Sequence, residues 1–107
     1  MFQPPRFFTL FLFWEVFLQD TVVRKYTIRL SSGVHVRTAL TIAKLAEKFE
    51  SKLFISKGGQ EVIFDSPLGL LTLGIIEGDE IAVRVEGPDS LELADAFDKL
   101  VDDNFGE

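Results

Sequence analysis

From Val22 to Leu30 the chain alternates. Val22, Arg24, Tyr26, Ile28 and Leu30 fall on one side, and Val23, Lys25, Thr27, Arg29 and Ser31 on the other. A period of two predicts a half-buried strand. Ser32-Gly33 break the pattern, and the period then lengthens. Val36, Leu40, Ala43, Leu45, Ala46 and Phe49 mark the apolar face of a helix, with Lys44, Glu47 and Lys48 on its wet face. Lys52–Ser56 is a second predicted strand and Glu61–Phe64 its return, joined by the turn Lys57-Gly58-Gly59-Gln60. Asp65-Ser66-Pro67 reads as a helix start, with Ser66 as N-cap and Pro67 at the first helical position. Leu68–Leu73 then forms a short helix closed by Gly74. Past the Ile75–Asp79 connection, Glu80–Glu86 alternates as a fourth strand, with Ile81, Val83 and Val85 sharing a face. Gly87-Pro88-Asp89 turns the chain. Asp89 or Ser90 caps a last helix with the stripe Leu93, Ala94, Phe97, Leu100 and Val101.

The predicted order is β-α-β-β-α-β-α. Strands and helices alternate only in part, and the middle pair is a hairpin. The expectation is an α+β fold, with a four-stranded antiparallel sheet and helices on one face.

Residues 1–20 read differently from the rest. They hold six of the eleven phenylalanines and the only tryptophan. The apolar run Phe7–Leu18 is too short to cross a bilayer and is interrupted by Glu15. As a secretory signal it would have one basic residue, Arg6, and no small-residue cleavage site. Two readings remain. Either translation starts downstream, at Val22 or Val23 through an alternative start codon, or residues 1–20 are a genuine apolar extension. The division expected is 1–20 as extension and 21–107 as domain.

Composition narrows the chemistry. The chain is 47% apolar and 26% charged, as in soluble globular proteins, and its 107 residues suffice for one modest core. With no cysteine and one histidine, thiol chemistry and multi-histidine metal sites are excluded, and no cofactor or metal is expected. A net charge of −6 argues against nucleic acid as partner. The charge is unevenly spread. Residues 21–64 carry eight Lys and Arg against three Asp and Glu, and residues 65–107 carry two against twelve. The basic part contains His35 and Arg37, which suits an anionic ligand or an acidic protein partner nearby.

His35 stands where the first strand hands over to the first helix, with Arg37 two residues on. The first N–H groups of a helix lack internal partners, and the dipole is positive there, so an anion is favoured at this place.

Gly33-Val34-His35-Val36-Arg37-Thr38-Ala39 resembles the active-site motif Gly-Leu/Ile-His-x-Arg-Pro-Ala of HPr, the histidine-containing phosphocarrier family of bacterial sugar phosphotransferase systems. The resemblance continues through Asp65-Ser66-Pro67-Leu68-Gly69, Leu71-Thr72-Leu73-Gly74-Ile75, Glu86-Gly87-Pro88-Asp89 and Phe105-Gly106-Glu107. It covers Val22 to Glu107 without a gap. It implies the open-faced two-layer β-sandwich of that family and a cytoplasmic, monomeric carrier rather than an enzyme with a substrate of its own. His35 would accept a phosphoryl group on Nδ1 from phospho-Enzyme I, which phosphoenolpyruvate charges, and pass it to an Enzyme II A domain. Arg37 would pair with the phosphoryl oxygens, since a guanidinium grips such a group through charge-assisted bonds. A neutral imidazole has the lone pair this needs. Transfer itself rests on positioning and charge stabilisation.

Thr38 departs from the family, which has proline there. Losing the fixed φ of proline costs ~0.4–1 kcal/mol of chain entropy and adds an N–H and a hydroxyl beside the site. Ser66 is first a helix cap. The resemblance adds a second role, as the serine that an ATP-dependent HPr kinase/phosphorylase modifies in some bacteria. It also implies that Leu68 and Leu71 of the short helix, with Leu40 of the first, form an outward docking surface beside His35, leaving Leu70 and Leu73 to the core. Lys44 and Lys48 would rim it and steer acidic partners. Against this carrier reading stand a regulatory module acting through phospho-His35 or phospho-Ser66, and an unrelated α+β binding domain.

Overall fold

The computed structural model describes residues 21–107, so both readings of residues 1–20 lie outside the described part. Strands β1 (Thr21–Thr27), β2 (Lys52–Lys57), β3 (Gln60–Ile63) and β4 (Glu80–Glu86) form one sheet in the order β1-β4-β2-β3, every neighbour antiparallel. Helices α1 (Val36–Ala46), α2 (Pro67–Leu71) and α3 (Ser90–Asp102) alternate with them as expected, and a 3₁₀ turn over Asn104–Gly106 follows α3.

Register explains the two faces of the sheet. Val22 sits opposite Val85 and Val85 opposite Leu53, while Val83 lies between Arg24 and Ile55. Leu53, Ile55, Ile81, Val83 and Val85 are buried in one core with Ala39 and Ile42 of α1, Leu70 of α2, and Leu93, Ala94 and Phe97 of α3. Burying each of the larger of these side chains is worth roughly 1.5–3 kcal/mol. The alternate row, Val23, Arg84, Phe54 and Ile63, crosses the other face. Val23 and Ile63 are exposed there, and the Arg84 guanidinium lies 3.9 Å from the centre of the Phe54 ring.

The β2–β3 hairpin has a two-residue turn. Gly58 and Gly59 take φ values of +57° and +84°, which suit the right-handed twist of the flanking strands. Strand β1 pairs only as far as Thr27, where β4 begins at Glu80. Beyond it, Ile28 bonds Gly78 and Asp79 through its own amide and carbonyl, and Ile28 and Leu30 stay buried.

Helix α1 is rotated from the stripe expected. Thr38, Ala39 and Ile42 are its buried residues, backed by Leu45, Ala46 and Phe49, whereas Val36 and Leu40 are exposed. The sequence pattern was carried by apolar letters alone and passed over the threonine that shares the inner face. The helix also stops at Ala46, and the amides of Lys48 and Phe49 finish it with tighter turns onto Leu45 and Ala46.

Asp89 occupies the N-cap position of α3, but its side chain does not cap the helix. The carboxylate instead accepts the amides of Glu50 and Ser51, both at 2.9 Å, together with the Ser51 hydroxyl. It thereby ties the α1–β2 loop to the start of α3. At the other edge, Asp98 of α3 accepts bonds from both Arg24 and Tyr26 of β1, fastening helix to strand.

Candidate functional site

The loop that delivers His35 is fixed by its neighbours. The Gly33 amide bonds the Leu30 carbonyl at 2.9 Å, and Val34 donates to the Ile75 carbonyl at 3.0 Å. Gly33 has φ of +71°, and a Cβ built there would lie 2.6 Å from the Ile75 oxygen. Only glycine combines that left-handed backbone with so close an approach. His35 follows as the N-cap of α1, with extended backbone (φ −121°, ψ −171°), and its carbonyl accepts the Ala39 amide at 2.9 Å. The ring makes no capping bond. The amides of Val36, Arg37 and Thr38 precede that first internal bond, at the positive end of the helix.

The histidine ring, one-third exposed, turns toward the end of the chain. Its Nε2 lies 3.1 Å from Oε1 of Glu107, and a terminal nitrogen of Arg37 lies 3.6 Å from the same oxygen. The fully buried Thr38 donates its hydroxyl to Oε2 of Glu107 at 2.7 Å. The Glu107 side chain is only 14% exposed, while that of Arg37 is 74% exposed. Three groups thus converge on one carboxylate. The Thr38 hydroxyl bond, followed by the His35 contact and the charge of Arg37, holds the Glu107 carboxyl below the ordinary carboxylate range against the opposing effect of desolvation. Among the described residues, no protein group bonds Nδ1 of His35.

Glu107 reaches the site because Phe105 is anchored. Past α3, Asn104 and Phe105 both adopt left-handed backbone, at φ of +51° and +58°. That is a strained region for a bulky residue. The Phe105 ring is nevertheless buried, packing edge-on against Phe97 with centroids 6.2 Å apart. The stretch Phe105-Gly106-Glu107 carries no local sign of the glutamate's task. A non-periodic stretch after a helix carries no signal of where its side chains go. The only clue was Thr38 itself, whose hydroxyl was expected near the site without a partner.

Ser66 is the N-cap of α2, with Pro67 at its first position, and its Oγ accepts the Gly69 amide at a long 3.4 Å. The helix ends at Leu71, and Gly74, with φ of +59°, comes two residues after the Thr72 cap. Leu70 and Leu73 are buried. Leu68 and Leu40 are exposed, whereas Leu71 is half-buried and packs on the core. A groove between α1 and the β3–α2 segment is lined by Arg37, Leu40, Lys44, Asp65 and Ser66. It links the arginine beside His35 to the serine.

The basic excess of residues 21–64 is partly answered within the domain. Arg24 pairs with Asp95 and Asp98, and Lys57 with Asp79, whereas Arg84, from the acidic part, pairs with Glu61 and Glu86. Lys44 and Lys48 are exposed and form no ion pair among the described residues.

An open-faced α+β sandwich that presents one histidine at a helix start is the architecture of a small phosphoryl carrier, and comparison with known proteins agrees. The family described as PTS HPr component phosphorylation site matches residues 22–103. The phosphocarrier protein HPr of Chlamydia trachomatis is 37% identical over 82 residues, covering 77% of this chain and 75% of that protein. HPr-C-His from Thermoanaerobacter tengcongensis superposes with a TM-score of 0.75 at 29% identity, over 80% of this chain and 97% of that one. The Bacillus subtilis catabolite repression protein Crh, solved as a domain-swapped dimer, gives 0.63 at 28% identity, over 76% and 93%. This chain belongs to the HPr family of the phosphotransferase system, whose members are phosphocarriers and not catalysts. Among the described residues no helix is long and apolar enough to cross a membrane.

Proposed function

We propose that this protein is a working carrier in which Nδ1 of His35 takes a phosphoryl group from phospho-Enzyme I and gives it to an Enzyme II A domain. The observation that supports this most is the state of the ring. It sits at the N-cap without capping the helix, Nε2 is engaged by Glu107, and Arg37 stands beside it. A phosphoryl group on Nδ1 would meet the positive helix end and a largely exposed guanidinium whose charge suits its oxygens. Leu40 and Leu68 would dock both partners, Leu71 would support them from the half-buried side, and Lys44 and Lys48 would steer acidic surfaces. The carrier would act as a cytoplasmic monomer.

The test is phosphorylation by Enzyme I and phosphoenolpyruvate, on wild type and His35→Ala, followed by acid. An acid-labile label on wild type alone is expected, and it should pass to an Enzyme II A domain. Absence of label on folded wild type, with its cognate Enzyme I, would sink the reading.

A second reading is favoured by Ser66. It is exposed, heads α2, and lines the same groove as Arg37, so a kinase could reach its hydroxyl. A phosphate there would gain from the helix start and lose against neighbouring Asp65. On this reading phospho-Ser66 regulates partner binding. Incubation with an HPr kinase/phosphorylase and ATP, with Ser66→Ala as control, separates the two.

A further inference from the structure

We propose that Thr38 is a positioning residue, holding the Glu107 carboxylate against His35 so that the neutral ring carries its proton on Nε2 and leaves the Nδ1 lone pair free. The inference rests on His35 being the acceptor and goes beyond it in naming what sets the ring's tautomer. An ionised carboxylate can only accept hydrogen bonds, so across the 3.1 Å contact Nε2 must be the donor. In a neutral imidazole the other nitrogen is then unprotonated. Glu107 on its own would be a poor clamp, because an unrestrained glutamate side chain has many rotamers. Thr38 removes that freedom. Its hydroxyl is buried, is carried on the first turn of α1, and donates to the second carboxylate oxygen at 2.7 Å. A buried threonine also leaves little room for its own side chain to turn away.

The balance of the transfer step is simple. The Nδ1 lone pair forms the bond to phosphorus, the bond from phosphorus to the donor breaks, and its electrons leave with the donor. No proton moves. The ring keeps its Nε2–H and gains positive charge, which the carboxylate 3.1 Å away stabilises. The same logic, a carboxylate that orients an imidazole and stabilises the cation it becomes, operates in the serine-protease triad. Proline, which the family pattern has at this position, could supply no such donor. This chain has exchanged a rigid turn for a held carboxylate.

The experiment reads nitrogen-15 shifts of the His35 ring in mildly alkaline solution, alongside the rate of phosphorylation by phospho-Enzyme I. Wild type should show the Nε2–H form dominant. Thr38→Val, which keeps the volume and loses the hydroxyl, should move the ring toward a mixture of tautomers and slow phosphorylation about five- to tenfold, the loss of one charge-assisted bond. Thr38→Ser should restore both readings. Glu107→Ala should give the same tautomer shift, and adding Thr38→Val to it should change the tautomer no further, since Thr38 acts only through Glu107. An unchanged tautomer in Thr38→Val or in Glu107→Ala overturns the proposal. So does a further shift in the double variant, which would make Thr38 a packing residue only. Should Thr38→Val not fold, Thr38→Ala, which also lacks the hydroxyl, carries the same decision. If wild type takes no label, the carrier reading fails while the tautomer measurements still decide this one.

Discussion

Nε2 of His35 and Oε1 of Glu107 lie 3.1 Å apart although 72 residues separate them in the chain. The contact depends on a bend at the end of α3 and on one buried ring. The expected behaviour of the site follows from how firmly those features are held.

Phe105 is the anchor. Phe105→Ala removes a ring packed on Phe97 and should cost about 3–5 kcal/mol, with no relief of its left-handed backbone because alanine keeps the Cβ. The variant should melt earlier, and the His35 ring nitrogens should lose their contact with Glu107. A variant that melts early but keeps that contact would show that the tail is held by Thr38 alone.

Gly33 sets the entry to the site. Gly33→Ala puts a methyl group 2.6 Å from the Ile75 carbonyl on a backbone with φ of +71°. The expected loss is about 1–3 kcal/mol by denaturant unfolding, and under the proposed carrier role phosphorylation of His35 should slow as its loop shifts. Wild-type stability in this variant would mean that the loop has room the structure does not show.

Acid should weaken the fold through a known set of carboxylates. Glu107 is held low by Thr38 and His35, Asp89 by the Ser51 hydroxyl and the amides of Glu50 and Ser51, Asp79 by the Ile76 amide and Lys57, and Glu61 by Arg84. Each is more acidic folded than unfolded, so the unfolded chain binds more protons in between. Their contribution is fully present above the ordinary carboxylate range and is lost as pH falls through that range to the depressed values. Thermal melts should be level near neutrality and drop on acidification. Asp89→Asn should have a shallower drop than wild type, and an equal slope would remove Asp89 from the set.

Leu68 separates docking from folding. It is 73% exposed, so Leu68→Glu should change stability by no more than about 0.5 kcal/mol. Under the proposed docking role, affinity for phospho-Enzyme I should nonetheless fall about tenfold, measured as the concentration dependence of labelling. Unchanged labelling would move the docking surface elsewhere.

The elements were legible because their periods were clean. Val22 to Thr27, the Gly58-Gly59 turn, the Ser66-Pro67 start and the Ile81-Val83-Val85 face all stand where the pattern placed them. The inner face of α1 is not marked by apolar letters alone, because Thr38 is polar by letter but buried, its hydroxyl satisfied by Glu107. The task of Asp89 was equally hidden. Its position in the sequence says helix cap, and its carboxylate reaches a loop that only the fold brings near. His35 and Arg37 could be found from spacing, whereas the carboxylate that meets them required long-range geometry. Local chemistry is written in neighbouring residues. A contact across the whole chain is not.

Strand β4 pairs with both β1 and β2, yet it is the last of the four to be made. Until it emerges from the ribosome, β1 has no strand to bond, and the β2–β3 hairpin is the only local pairing available to the sheet. Assembly therefore waits on the carboxy-terminal third of the chain and is governed by non-local contacts, which places folding on the order of milliseconds or slower. Glu107 can meet His35 only after that strand and α3 have closed over the core. The completed fold and the positioned histidine thus arise together.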